Sequence, residues 1–132
     1  MGVSAFDSGS AKIRKQMIPF LEKIGSVLLG TPDDIIVAGH TDNVPLKGGP
    51  YKSNLGLSIA RAASVAEYLL NICSVDPERL STMGFGEYRP LKPNDTLEGR
   101  RKNRRVEIIL KTPSKKRKFG SAIEPKGEEG LD

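Results

Sequence analysis

The chain has 132 residues, enough to bury one hydrophobic core but not two. With 37% apolar and 28% charged residues it has the make-up of a globular domain, and its longest apolar runs, Ile35 to Ala38 and Val106 to Leu110, fall far short of the roughly 20 residues that a membrane-spanning helix needs. The net charge of +5 suits an anionic partner, such as a nucleic acid, an acidic membrane surface or an anionic cell-wall polymer. The basic residues crowd late, into Arg100 to Arg105 and Lys115 to Lys118. Met1-Gly2-Val3-Ser4 lacks the basic-then-apolar pattern of a secretory signal, and the single Cys73 has no partner for an internal disulfide.

In chain order, Val3 to Phe6 reads as a short strand and Asp7-Ser8-Gly9-Ser10 as a turn. Met17, Phe20, Leu21, Ile24, Val27 and Leu28 recur at three- and four-residue steps and predict an amphipathic helix. Pro19 is tolerated only in its first turn, so the helix starts near Gln16 to Ile18, and Gly30 stops it. Ile35 to His40 reads as a buried strand, and Asp42 to Ser53 as a loop.

A second helix follows, capped by Ser53 or Asn54, with Leu57, Ala60, Val65, Tyr68, Leu69 and Ile72 on its inner face and Cys73 packed on the same stripe. Arg79 to Phe85 is the next strand, Thr96 caps a short helix over Leu97 to Lys102, and Arg104 to Lys111 is the last strand, with Val106, Ile108 and Leu110 facing inward. Pro, Lys, Gly and Glu dominate from Thr112 onward, which predicts a folded domain over 1–111 and a basic, disordered tail over 112–132. The fold class is therefore α/β: a two-layer βαβαβ sandwich, with a small mixed sheet and two main helices on one face.

Two residues stand out chemically. Asp42 closes a strand and Arg61 lies in the first turns of the following helix, so a carboxylate and a guanidinium can face one cleft, an arrangement better suited to a small zwitterion than to bond breaking. The sequence also offers His40 as a base, with Ser58 or Ser53 as nucleophile and Asp42 as orienter, but no nucleophile elbow accompanies them. Further His or Cys ligands for a metal beside His40 and Asp42 are missing, so neither a metal nor a cofactor is expected. The run Arg100 to Arg105 has a nucleic-acid reading, without interleaved aromatics, and a structural one in which Arg104 pins the sheet end by an ion pair while its neighbours are solvated; the structural reading is preferred.

Gly39-His40-Thr41-Asp42, then Asn54 with Leu57-Ser58 and Arg61-Ala62, and finally Glu98-Gly99-Arg100 with Asn103-Arg104-Arg105-Val106-Glu107-Ile108, resemble in order and spacing the OmpA-like C-terminal domain family. Asp42-Asn43-Val44-Pro45, the long loop before Asn54 and Gly84-Phe85-Gly86-Glu87-Tyr88-Arg89-Pro90 look most like its MotB-type branch. The resemblance implies non-covalent, non-enzymatic binding of peptidoglycan in the periplasm, anchoring a membrane-held protein, possible as a homodimer, to the cell wall. It implies that the residues matching Asp42 and Arg61 grip stem-peptide diaminopimelate, the first taking its ammonium and the second its carboxylate. Asn54 and Leu57 would shape the pocket, Thr41 and Asp7 are further rim residues, and Tyr51 in the long loop is left open.

Overall fold

The computed structural model describes residues 5–113. Three strands and three helices alternate: α1 (Ile18–Leu29), β1 (Asp34–Gly39), α2 (Asn54–Asn71), β2 (Leu80–Gly84), α3 (Leu97–Asn103) and β3 (Val106–Lys111). The expected strand at Val3 to Phe6 falls partly outside the described residues; Ala5 and Phe6 form a bend. The expected tail, apart from its first two residues, also lies outside them.

The sheet order is β2-β1-β3, with β1 parallel to β2 and antiparallel to β3. A parallel pair needs a crossover, and α2 provides it, packing on β1 and β2. Ile35 and Val37 on β1 meet Leu21 and Leu28 of α1 and Ala62, Val65 and Leu69 of α2 in one core, so both main helices share a face of the mixed sheet. The structure is the expected two-layer α/β sandwich.

Local signals set the ends of these elements. Pro19 sits in the first turn of α1, after a 3₁₀ turn over Lys15–Met17, and Gly30 follows the last residue. Ser53 caps α2 by accepting the Gly56 N–H at 3.0 Å, and Thr96 caps α3 by accepting the Gly99 N–H at 2.9 Å. Cys73 packs its sulfur against Gly25 of α1, and burial raises its thiol pKa, away from reactivity.

Four apolar positions depart from the expected core. Phe20 and Val27 are 55% and 61% exposed because α1 turns the stripe Leu21, Gly25 and Leu28 inward, leaving its neighbours on the flank. Ile72 is 62% exposed because α2 ends at Asn71, and Ala62 and Ala66 fill the inner face instead. Leu110, at the end of the outermost strand, is likewise exposed.

Candidate functional site

At the C-terminal end of β1 the chain runs into His40, Thr41 and Asp42, all buried although none is apolar. A buried polar group must find partners. The main chain here is held from both sides, His40 N–H donating to Arg105 O and Thr41 N–H to Gly86 O, each at 2.9 Å. The Thr41 hydroxyl donates to Asp42 O at 2.8 Å, so Thr41 shapes the turn rather than facing a ligand.

Asp42 is the pivot. Its Oδ2 accepts from Arg104 Nη1 at 3.0 Å and its Oδ1 from the Val44 N–H at 3.1 Å. The direct cation for Asp42 is thus Arg104, not Arg61. Arg61 has 0% of its surface exposed. Its Nε donates to Ser10 O at 2.8 Å, Nη1 to His40 O at 3.0 Å and Nη2 to Asp7 O at 3.0 Å, while its guanidinium lies 5.0 Å from the Phe6 ring centroid. Burial lowers its pKa to about 10, with the Asp42 charge opposing the fall and Arg104 adding to it; Arg61 is still charged at neutral pH. The part-buried Tyr51 also lies within electrostatic reach of Arg61.

A cleft of about 440 Å³ opens beside Asp42, with Asn54 and Leu57 at the start of α2, Ser8 and Gly9, and the loop from Val44 to Gly49 as its walls. Asn54 Nδ2 donates to Val44 O at 3.2 Å and to Glu87 Oε1 at 3.3 Å, tying the loop to the turn after β2. Its Oδ1 is buried without a partner. Asp42 and Asn54 thus put a carboxylate and an amide with an unmet acceptor into the walls of one cleft, a combination that favours an ammonium group.

The structure therefore brings Asp42, Asn54 and Leu57 to one cavity. Arg61 does not line it; fully buried, it acts on Asp42 through its charge and carries two N–H groups beyond those given to the three carbonyls. The Asp7 carboxylate stands outside, 78% exposed and 3.6 Å from Arg14 Nε. Only the Asp7 carbonyl takes part, through Arg61.

His40 Nε2 meets Glu107 Oε1 at 3.1 Å and the ring stacks on Phe85 at 5.2 Å, while its buried Nδ1 has no partner and does not reach Asp42. Ser58 donates to Leu55 O and accepts the Gly86 N–H, so His40, Ser58 and Asp42 do not form a relay. The basic run is largely structural. Arg104 holds Asp42, as the ion-pair reading requires; Arg105, expected to be solvated, instead donates to Glu107 Oε2 at 3.0 Å and to Arg89 O at 3.1 Å. Arg100 donates to Asn94 O at 2.8 Å and Lys102 lies 3.9 Å from Glu98, which leaves little of a phosphate-contacting patch.

Sequence reasoning missed two partners. Glu87 lies in a motif that was noticed, yet its hydrogen bond to Asn54 spans 33 residues. Asn103 is fully buried, accepting from Leu91 and Lys92 N–H and donating to Lys92 O and Asn94 Oδ1, and so fixes the loop between β2 and α3. An Asn between a lysine and an arginine carries no periodic signal.

Fold and site define an OmpA-like domain, and the OmpA family model matches residues 5–104. The chain belongs to the OmpA family. It is 43% identical over 106 residues to Motility protein B of Bacillus subtilis, which covers 80% of this chain and 41% of the relative. It is 36% identical over 110 residues to the Peptidoglycan-binding protein ArfA of Mycobacterium tuberculosis, covering 83% of this chain and 32% of the relative. The C-terminal domain of Helicobacter pylori MotB superposes with a TM-score of 0.78 at 30% identity, covering 100% of this chain and 98% of that one. The chain spans less than half the length of these two curated relatives.

Proposed function

We propose that this domain binds peptidoglycan non-covalently and so tethers the protein that carries it to the cell wall. The observation that carries the reading is the cleft walled by Asp42 and by Asn54, whose buried Oδ1 has no partner, with the buried Arg61 charge within electrostatic reach of Asp42. The kinship with ArfA, named for peptidoglycan binding, supports it. The ligand group is the diaminopimelate end of a stem peptide. Its ammonium sits between Asp42 and Asn54 Oδ1, its alkyl stem lies on Leu57, and its carboxylate is drawn by Arg61. Thr41 serves by shaping the turn through its hydroxyl, and Asp7 by holding Arg61 through its carbonyl.

No bond is made or broken in this role. The domain acts in the periplasm, where the wall lies, as part of a membrane-held protein. Charge-assisted bonds of about 1.5–3 kcal/mol each, two or three in number, give a modest, reversible grip. Co-sedimentation with purified, insoluble peptidoglycan tests it: wild type pellets, and Asp42→Asn, shown folded by its thermal melt, binds at least about tenfold more weakly. Equal pelleting of a folded Asp42→Asn would remove Asp42 from the site. Release of soluble muropeptides would replace tethering with hydrolysis.

A further inference from the structure

The turn Asp7 to Ser10 has two sides. Ser8 and Gly9 wall the cleft, whereas Asp7 and Ser10 wall a second cavity of about 330 Å³, completed by Lys12, Arg14, Lys15 and Gln16. We propose that this second cavity is an anion subsite that takes a free carboxylate of the same wall polymer whose zwitterionic end enters the cleft; the inference rests on the peptidoglycan reading above.

The charge in the cavity is unbalanced. Its only carboxylate, Asp7, already lies 3.6 Å from Arg14, while the exposed Lys12 and Lys15 have no ion-pair partner among the described residues. Ser10 Oγ accepts the Lys12 N–H at 3.0 Å, which keeps its own O–H free to donate to an anion. A concave wall with a net positive charge concentrates counter-charge. A carboxylate fits two ammonium groups and a hydroxyl without any covalent change.

The imbalance extends along the molecule. Lys12, Lys15, Lys47, Lys52, Lys92 and Arg101 all belong to segments at the end of the sheet where β1 finishes. Asp33, Asp34, Asp76 and Glu78 gather at the opposite end, where β1 and β2 begin. The two cavities share the positive end and the Asp7–Ser10 turn, so a polymer seated in the first lies beside the second.

The test uses the full chain and sacculi freed of attached phosphate polymers with cold hydrofluoric acid, so that carboxylates are the remaining anions. A Lys12→Gln/Lys15→Gln double variant is expected to bind about three- to tenfold more weakly than wild type at 50 mM salt, with the difference falling below about twofold at 0.5 M. A Lys23→Gln/Lys111→Gln control removes the same charge elsewhere and is expected to bind like wild type. Equal binding of wild type and the Lys12/Lys15 variant overturns the subsite and leaves the peptidoglycan reading standing. An equal loss in the control shows a net-charge effect and also overturns it, as does a loss seen only on sacculi that keep their phosphate polymers. If wild type does not pellet at all, both readings fall.

Discussion

Arg61 holds three main-chain carbonyls that lie far from it in sequence, those of Asp7, Ser10 and His40. Arg61→Ala strands those acceptors and empties a buried volume, so stability should fall by about 3–5 kcal/mol in urea unfolding. Arg61→Lys should recover little, because one ammonium cannot reproduce a planar fork that reaches three carbonyls. A variant that melted like wild type would show that the turn holds without the guanidinium. Asp42→Ala likewise leaves Arg104 buried without its anion. Asp42 was legible in the sequence because it ends an apolar strand inside a recognisable motif; its cation was not, since Arg104 lies 62 residues away and nothing local points to it.

His40 gives the same neighbourhood a pH dependence. Burial, then the Arg105 charge, lowers its pKa below 6.5, so on acidification the unfolded chain takes up this proton first and stability is lost as the pH falls below that value. For Glu107, burial alone would raise the pKa, but the hydrogen bond and charge of Arg105, with His40, lower it below 4.5. Its contribution is present above 4.5 and is lost as the pH falls through the lowered value. Both signs agree. Chemical unfolding should give lower stability at pH 5 than at pH 7.5, and lower again near pH 4; a rise over either step contradicts the assignment.

Among the elements, the seam between α2 and the sheet decides how the site is built. Gly39 of β1 and Gly84 of β2 are register partners, and a Cβ on Gly39 would collide with the Ser58 carbonyl oxygen of α2. Gly39→Ala must push the helix outward, with an expected cost of about 1–3 kcal/mol and a loss of wall binding, because Asn54, Leu57 and Arg61 move with it. Unchanged melting and pelleting would mean that the helix has slack. Ser53→Ala is the milder counterpart: loss of the cap costs about 1 kcal/mol with binding retained.

Helix starts and stops were readable because prolines, glycines and capping hydroxyls act locally. Phe20, Val27 and Ile72 were misjudged because periodicity marks apolar positions without saying how far the facing layer extends. In the same way, alternation along Arg104 to Lys111 marked a strand but not its place at the edge of the sheet.

For the molecule as a whole, opposite charges at the two ends of the sheet mean that an anionic wall favours approach with the cleft end forward. The rate of association with sacculi should fall more steeply with salt than the rate of release. Equal salt dependence of the two rates would count against steering. Net charge was legible in composition. Its segregation was not, because it emerges only when Lys12 and Lys15 before α1, Lys47 and Lys52 before α2, and α3 converge through the parallel crossover.

The wide separation of the groups that frame the cleft also determines when it forms. Arg61 reaches back 51 residues to Ser10 and 54 to Asp7, and Arg104 reaches back 62 to Asp42 and 98 to Phe6. Contacts of such span form late, after the entropy of closing long loops has been overcome. A nascent chain extended only through α2 already carries Asp42, Asn54, Leu57 and Arg61, yet has no Arg104 to hold the first of them in place. The ion pair that fixes Asp42 therefore exists only once the segment between α3 and β3 has docked against the end of β1.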